Sequence, residues 1–226
     1  MVASDFFDFP ASLAPFSAHF PPGVPPWEWV KSVGPALAAF AFPGASPAVP
    51  AGVRIEGPVH LDPSVRLAPY AVIIGPAWIG PGTRIGPGAY VRGPVIVGAN
   101  CVLGNACEYK NSLLLDEVAT PHYNYVGDSI LGNRSHLGAG AICSNLRLDG
   151  RTVVARGPDG ERDTGLRKFG AVVGDDAEVG CNAVLNPGAL IGRRSLVAPA
   201  IAFGGYLPPE SVAKVRQTVA IVSRRS

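Results

Sequence analysis

The 226-residue chain is 47% hydrophobic, ample for one sizeable core, yet only 16% charged, with a formal net charge of +2 at pH 7. That mild balance argues against a nucleic-acid or membrane-surface partner, so any cationic site must be local. The 28 glycines and 23 prolines, without a collagen-like triplet, predict a fold built of many tight turns.

From the N-terminus, MVASDFFDFPASLAPF carries acids where a signal peptide needs basic residues. No uninterrupted apolar run reaches the ~18 residues of a membrane span. The four cysteines, Cys101, Cys107, Cys143 and Cys181, show no CxxC pair and no partnered histidines at zinc spacing. They read as buried free thiols in a reducing, cytoplasmic setting. Residues 1–50 are expected to form a helical cap and a Pro-rich linker. Pro25-Pro26-Trp27-Glu28-Trp29 opens a helix toward Phe40 with Gly34-Pro35 as a break point, and Phe42 to Pro50 is the linker.

A six-residue period then governs residues 51–207. Ile55, Leu61, Leu67, Ile73, Ile79, Ile85, Val91, Val97, Leu103, Tyr109 and Leu115 are all large and apolar, and mostly small or β-branched residues stand two places before them. The beat continues through Leu131, Leu137 and Cys143, with one short step between Val126 and Leu131, and returns at Val173, Val179, Leu185, Ile191, Val197 and Phe203. An even period keeps each residue on its strand face, and Gly, Pro and Asn at fixed phase turn the chain after every short strand. Three such sides close an 18-residue coil, and stacked coils bury the large residues in one column. The fold class is an all-β parallel solenoid. Pro208-Pro209-Glu210 is expected to open a C-terminal helix over 208–226, with Val212, Val215, Val219 and Val222 on one face and Arg224 and Arg225 at its end. Both end pieces are expected to cap the open ends of the solenoid.

Chemistry is expected where the repeat is broken, between Lys110 and Lys168. One break is Pro121-His122-Tyr123-Asn124-Tyr125-Val126-Gly127-Asp128; the other is a loop insertion over 145–168 carrying Arg147, Arg151, Arg156, Arg162, Arg167 and Lys168. Arg92 and Lys110 lie 18 residues apart, one full coil, and should stack. Unshielded, they would repel at a cost of roughly 1 kcal/mol or more. A phosphate between them would remove that cost, and so would Glu108, Asp116 or Asp128 as a surface network.

The repeat, as in Ala71-Val72-Ile73-Ile74-Gly75-Pro76, resembles that of the hexapeptide-repeat acyltransferases over residues 53–205. The resemblance implies a left-handed parallel β-helix. The segments Pro121 to Ser129, Leu137-Gly138-Ala139-Gly140-Ala141, Ser144-Asn145-Leu146-Arg147 and Asp163 to Gly170 resemble one branch in particular. That branch is the acetyltransferase part of bifunctional sugar-1-phosphate nucleotidylyltransferase/acetyltransferases. By this likeness His122 is the general base, Tyr125 and Asn145 contact the sugar phosphate, Arg92 and Lys110 bind its phosphate, and Arg151 and Lys168 add further substrate contacts. His136 stands where the bacterial members of that branch have asparagine, and Arg151 where they have lysine. The implied reaction moves acetyl from acetyl-CoA to the amine of an amino-sugar phosphate, without a metal. An amine is mostly protonated at neutral pH, and a histidine accepts its proton with little tuning. Backbone N–H groups in Gly138-Ala139-Gly140 are candidates to hold the oxyanion, and small residues at Ala139, Gly140, Cys181 and Ala198, beside Gly180, would let a pantetheine arm approach.

Further expectations follow from the same likeness: a homotrimer with sites between subunits, and a separate nucleotidylyltransferase partner, because only ~50 residues precede the repeats. Two rivals stand beside this reading. A γ-type carbonic anhydrase would need three histidines converging on zinc, and His60, His122 and His136 lack that spacing. A non-catalytic regulatory or oligomerisation module would use the same solenoid without the chemistry.

Overall fold

The structure, a computed structural model, describes residues 1–42, 49–216 and 218–224. Most of the expected linker and the tail residue Arg225 lie outside the described residues.

Short parallel strands wind around three sides. Side one begins with Arg54–Glu56, side two with Val59–Leu61 and side three with Arg66–Leu67. Fourteen strands form one sheet over sides one and two, because Tyr90–Val97 and Glu108–Leu114 continue around their shared corner; eight strands form side three. The six-residue beat becomes register. On side one Ile55, Ile73, Val91, Tyr109, Val126, Cys143, Leu185 and Phe203 pair in succession, and they and their counterparts form one continuous core. Corners repeat as well. Tyr70, Gly88, Ala106, Tyr123, Gly140, Asn182 and Ala200 all adopt positive φ at one corner, where the left-handed residue reverses the chain.

One expected core position is corrected. Leu114, not Leu115, pairs with Val97 and Leu131, so Tyr109 to Leu114 is a second five-residue step. The register shifts between Arg92 and Val95, and one residue fewer around that corner reverses which side chains face inward. Further round the same coil the inward residue is Thr120, whose hydroxyl meets the buried Tyr109 hydroxyl at 2.6 Å.

The N-terminal segment does not cap an open end. Its 3₁₀ turns Ala3–Asp5 and Ala11–His19 and its helix Pro26–Ala39 pack lengthwise against side two as a strap. The reason is an outward column that the inward periodicity does not disclose. His60, Trp78, Ile96, Leu113, Ile130, Val172, Leu190 and Tyr206 stack in register, nearly all apolar, and would face water without a cover. Nor does Gly34-Pro35 break the helix: Pro35 and Lys31, whose carbonyl loses its partner, lie on the exposed flank, where water can serve it.

A buried polar pin holds the strap. Asp175 accepts from Asp8 N–H at 2.9 Å, Asn133 N–H at 2.7 Å and Arg193 Nη1 at 3.1 Å. Arg193 also grips Asp8 and donates to the Ser4 carbonyl. Burial raises the Asp175 carboxyl above its ordinary range, while these donors and Arg193 oppose the shift.

The insertion is not an irregular loop. It folds as an antiparallel hairpin, Val154–Gly157 against Gly160–Asp163, whose base packs Val153 and Ala155 on the strap. The C-terminal helix is absent among the described residues. Val212–Ala213 instead pairs with Leu196–Val197 as a last side-three strand, because Ala213 keeps the six-residue beat set by Leu207. Beyond it the described residues form no helix or strand, and Val215, Val219 and Val222 are exposed. No described helix is long and apolar enough to cross a membrane.

Candidate active site

The sequence-derived candidates gather on the outer face of side one and at its two corners. At the corner with side two, Arg92 and Lys110 pair in register, as their spacing requires. They are not bare cations. Glu108 accepts from Arg92 Nε at 2.7 Å and Nη2 at 2.6 Å, and this contact strengthens the hold of Arg92 on its proton. Asp128 accepts from Lys110 Nζ at 2.8 and 3.0 Å. Asp116, the third possible neutraliser, is engaged elsewhere, with Ser12 of the strap and Ala99 N–H.

Asp128 is the hub. Its carboxylate is buried and also accepts from Asn111 Nδ2 at 2.8 Å and Asn145 Nδ2 at 2.5 Å, while Asn145 donates to the Tyr125 hydroxyl at 3.1 Å. Burial, then the nearby Glu108 carboxylate, lift the Tyr125 hydroxyl above its ordinary range. The backbone ties both ends of the insertion to the same point: Gly170 N–H donates to the Asp128 carbonyl, and Phe169 N–H to the Asn145 carbonyl. Asn111 was no sequence candidate. Its signal is local, a left-handed residue (φ 46°) at the corner where the step is short.

The opposite corner, between sides three and one, holds His122. It ends the strand Ala119–His122 with its side chain exposed and, among the described residues, without a hydrogen-bond partner. Its carbonyl accepts from Gly140 N–H at 3.0 Å, and Asn182 N–H in turn donates to the Ala139 carbonyl at 2.8 Å. Extending the pairing of Ala119 with His136 and of Leu137 with Val179, His122, Ala139 and Cys181 occupy equivalent positions in successive coils. Gly138, Gly180 and Ala198 form the neighbouring file. Two expected oxyanion donors are occupied, since Gly138 N–H donates to Val179 and Gly140 N–H to His122. The Ala139 N–H has no partner among the described residues.

His122 and the Asp128 cluster thus share one face but sit at opposite ends of the strand Tyr125–Gly127. Arg151 and Lys168 are exposed, and their side chains make no hydrogen bond to the cluster. The histidines diverge: His60 stacks on Trp78 under the strap edge, where burial lowers its pKa, and His136 faces outward from side three.

One cysteine departs from expectation. Cys101, Cys107 and Cys143 are buried, and burial pushes the Cys101 and Cys143 thiols up to about 12, but Cys181 is exposed because it lies on the corner and not the core column. A thiol reagent on the native protein is therefore expected to modify Cys181 alone, with the other three reacting only after denaturation; mass mapping of the adducts checks this.

Three-sided coils of a six-residue motif around an apolar column define a hexapeptide-repeat parallel β-solenoid. Residues 73–158 match the GMPPB C-terminal domain, and the sequence relatives of the chain are GlmU-type bifunctional proteins. The bifunctional protein GlmU of Methanococcus maripaludis is 32% identical over 127 residues, which is 56% of this chain and 31% of that protein. A bifunctional sugar-1-phosphate nucleotidylyltransferase/acetyltransferase of Sulfurisphaera tokodaii is 33% identical over 97 residues, 43% of this chain and 24% of that protein. Among solved structures, a hexapeptide transferase family protein from Anaplasma phagocytophilum aligns with a TM-score of 0.36 and 20% identity, over 68% of this chain and 78% of that one. The matched region spans less than a third of the length of these curated relatives.

Proposed function

We propose that the chain is an acyltransferase that moves acetyl from acetyl-CoA to the amine of an amino-sugar phosphate. The observation that carries this is the arrangement along side one. An exposed histidine stands beside a backbone N–H, both without a hydrogen-bond partner among the described residues, and the far end of the same face offers Arg92, Lys110, Tyr125 and Asn145.

In this reading His122 accepts the proton that the acceptor amine loses as its nitrogen attacks the thioester carbonyl. The Ala139 N–H donates to the carbonyl oxygen as it becomes an oxyanion. When the carbon–sulfur bond breaks, the imidazolium returns the proton to the departing thiolate, leaving amide, thiol and neutral His122. Gly140, Cys181 and Ala198 continue the corner on which the pantetheine arm would lie, and small side chains there let it approach the backbone. Arg151 and Lys168, exposed on the insertion, would add contacts to the substrate phosphate, and a homotrimer would place such sites between subunits.

A second reading has its own support. Glu108 and Asp128 already neutralise Arg92 and Lys110, as in a structural surface network, and a non-catalytic module allied to a separate sugar-phosphate nucleotidylyltransferase would need no more. Thiol release from acetyl-CoA separates the two. Glucosamine-1-phosphate, galactosamine-1-phosphate and UDP-linked amino sugars are offered in turn, and at least one phosphorylated acceptor is expected to drive release above the acceptor-free rate. Absence of acceptor-dependent release across the series would leave the module reading.

A further inference from the structure

Side three presents a second cationic feature away from His122. Arg66 and Arg84 pair in register on adjacent coils and project from the same face. Adjacent strands lie about 4.8 Å apart, so the two guanidiniums share one patch of surface. Both residues are exposed, and among the described residues neither takes part in an ion pair or a side-chain hydrogen bond.

Within the solenoid coils this sets the pair apart. The other cations of the coils, Arg54, Arg92, Lys110, Arg134, Arg193 and Arg194, each meet a carboxylate. Arg66 and Arg84 also border a concavity. They flank a shallow groove floored by Ile85, Gly86, Val102 and Gly104. Glycines at two successive corners keep its edge low. Gly104 is confined by the Pro121 backbone and Gly86 by Gly104 itself, so no side chain can fill the groove there. The next side-three residues in the same outward file, Val102 and Ala119, carry no charge that could neutralise the pair.

We propose that this groove is an anion site that takes a phosphate-bearing small molecule, with Arg66 and Arg84 gripping its phosphates. Two planar guanidiniums on adjacent strands suit a diphosphate better than a lone monoanion, because each fork can engage one phosphoryl group in bidentate fashion. The low, partly apolar floor leaves room for a non-phosphate portion of the ligand. The site is independent of the acyl-transfer reading: the pair lies at least two coils from His122 and shares no residue with the Asp128 cluster.

Isothermal titration of the full chain with inorganic pyrophosphate and, separately, with UDP tests the proposal. Saturable, salt-sensitive binding of at least one probe is expected, weakened about tenfold in Arg84→Gln and lost in the Arg66→Gln/Arg84→Gln variant. Binding is expected to survive Arg92→Gln and His122→Ala, which alter the other face. UDP binding more tightly than pyrophosphate would assign a nucleotide ligand; equal affinity would assign a bare diphosphate. The proposal is overturned if neither probe binds, or if binding persists in the double arginine variant while Arg92→Gln abolishes it. Exposed Arg→Gln changes leave the core untouched, and an unchanged unfolding midpoint shows that loss of binding is not loss of fold.

Discussion

His122→Ala is expected to lower acceptor-dependent acetylation by about 100- to 10,000-fold in kcat, the range that a positioned general base contributes. The KM for the acceptor should stay within a few-fold, because the groups proposed to hold its phosphate lie at the other end of the strand Tyr125–Gly127. His122 is exposed and contributes only its backbone to the hydrogen bonds of the corner, so the variant should unfold at the wild-type midpoint. Steady-state kinetics with saturating acetyl-CoA and varied acceptor supply the check, because they separate a loss in kcat from a change in KM. A kcat close to wild type in His122→Ala would remove the base from the proposed mechanism.

The largest expected effect on stability lies far from that corner. Trp29→Ala should cost about 3–5 kcal/mol, the usual range for truncating a fully buried large aromatic, read as a fall in the denaturant midpoint. Trp29 is 1% exposed, stacks on Phe7 at 5.3 Å, meets Phe9 and Phe20 edge-on at 5.7 and 5.6 Å, and donates its indole N–H to the Pro21 carbonyl at 2.9 Å. Its loss opens a cavity in the strap and orphans that carbonyl. A drop below about 1 kcal/mol would mean that the strap contributes little to the fold.

How far residue order alone reached follows from which physics is periodic. The inward column was legible because every coil imposes the same steric demand, and Ile55 through Leu103 never depart from it. Leu115 was misplaced because the short corner at Asn111 changes phase without changing composition: Leu113, Leu114 and Leu115 are all leucine, so their pattern cannot say which one faces inward. The outward column under the strap was legible in principle as apolar doublets, such as Trp78-Ile79, Ile96-Val97 and Leu190-Ile191, in which both neighbours are buried. The valines after Pro208-Pro209 show the opposite failure. Their spacing fits a helix face, yet no described residue covers them, and an apolar stripe gains nothing from helix formation until it is buried. At the site, the stacking of Arg92 on Lys110 was implied by spacing, whereas the claim of Glu108 and Asp128 on these cations depends on side-chain reach and burial that no period encodes.

The pin that joins Arg193 and Asp175 to Asp8 reaches beyond local strength. In a bare solenoid each coil touches only its neighbours, so the array can fray from either end one repeat at a time. Here a single segment lies across coils from Trp78 to Tyr206 and is clasped near the C-terminal end by Arg193, 185 positions from the Asp8 it holds. Detaching the last coils therefore means tearing the strap from all the others, and melting is expected to proceed as one all-or-none event rather than as progressive unravelling.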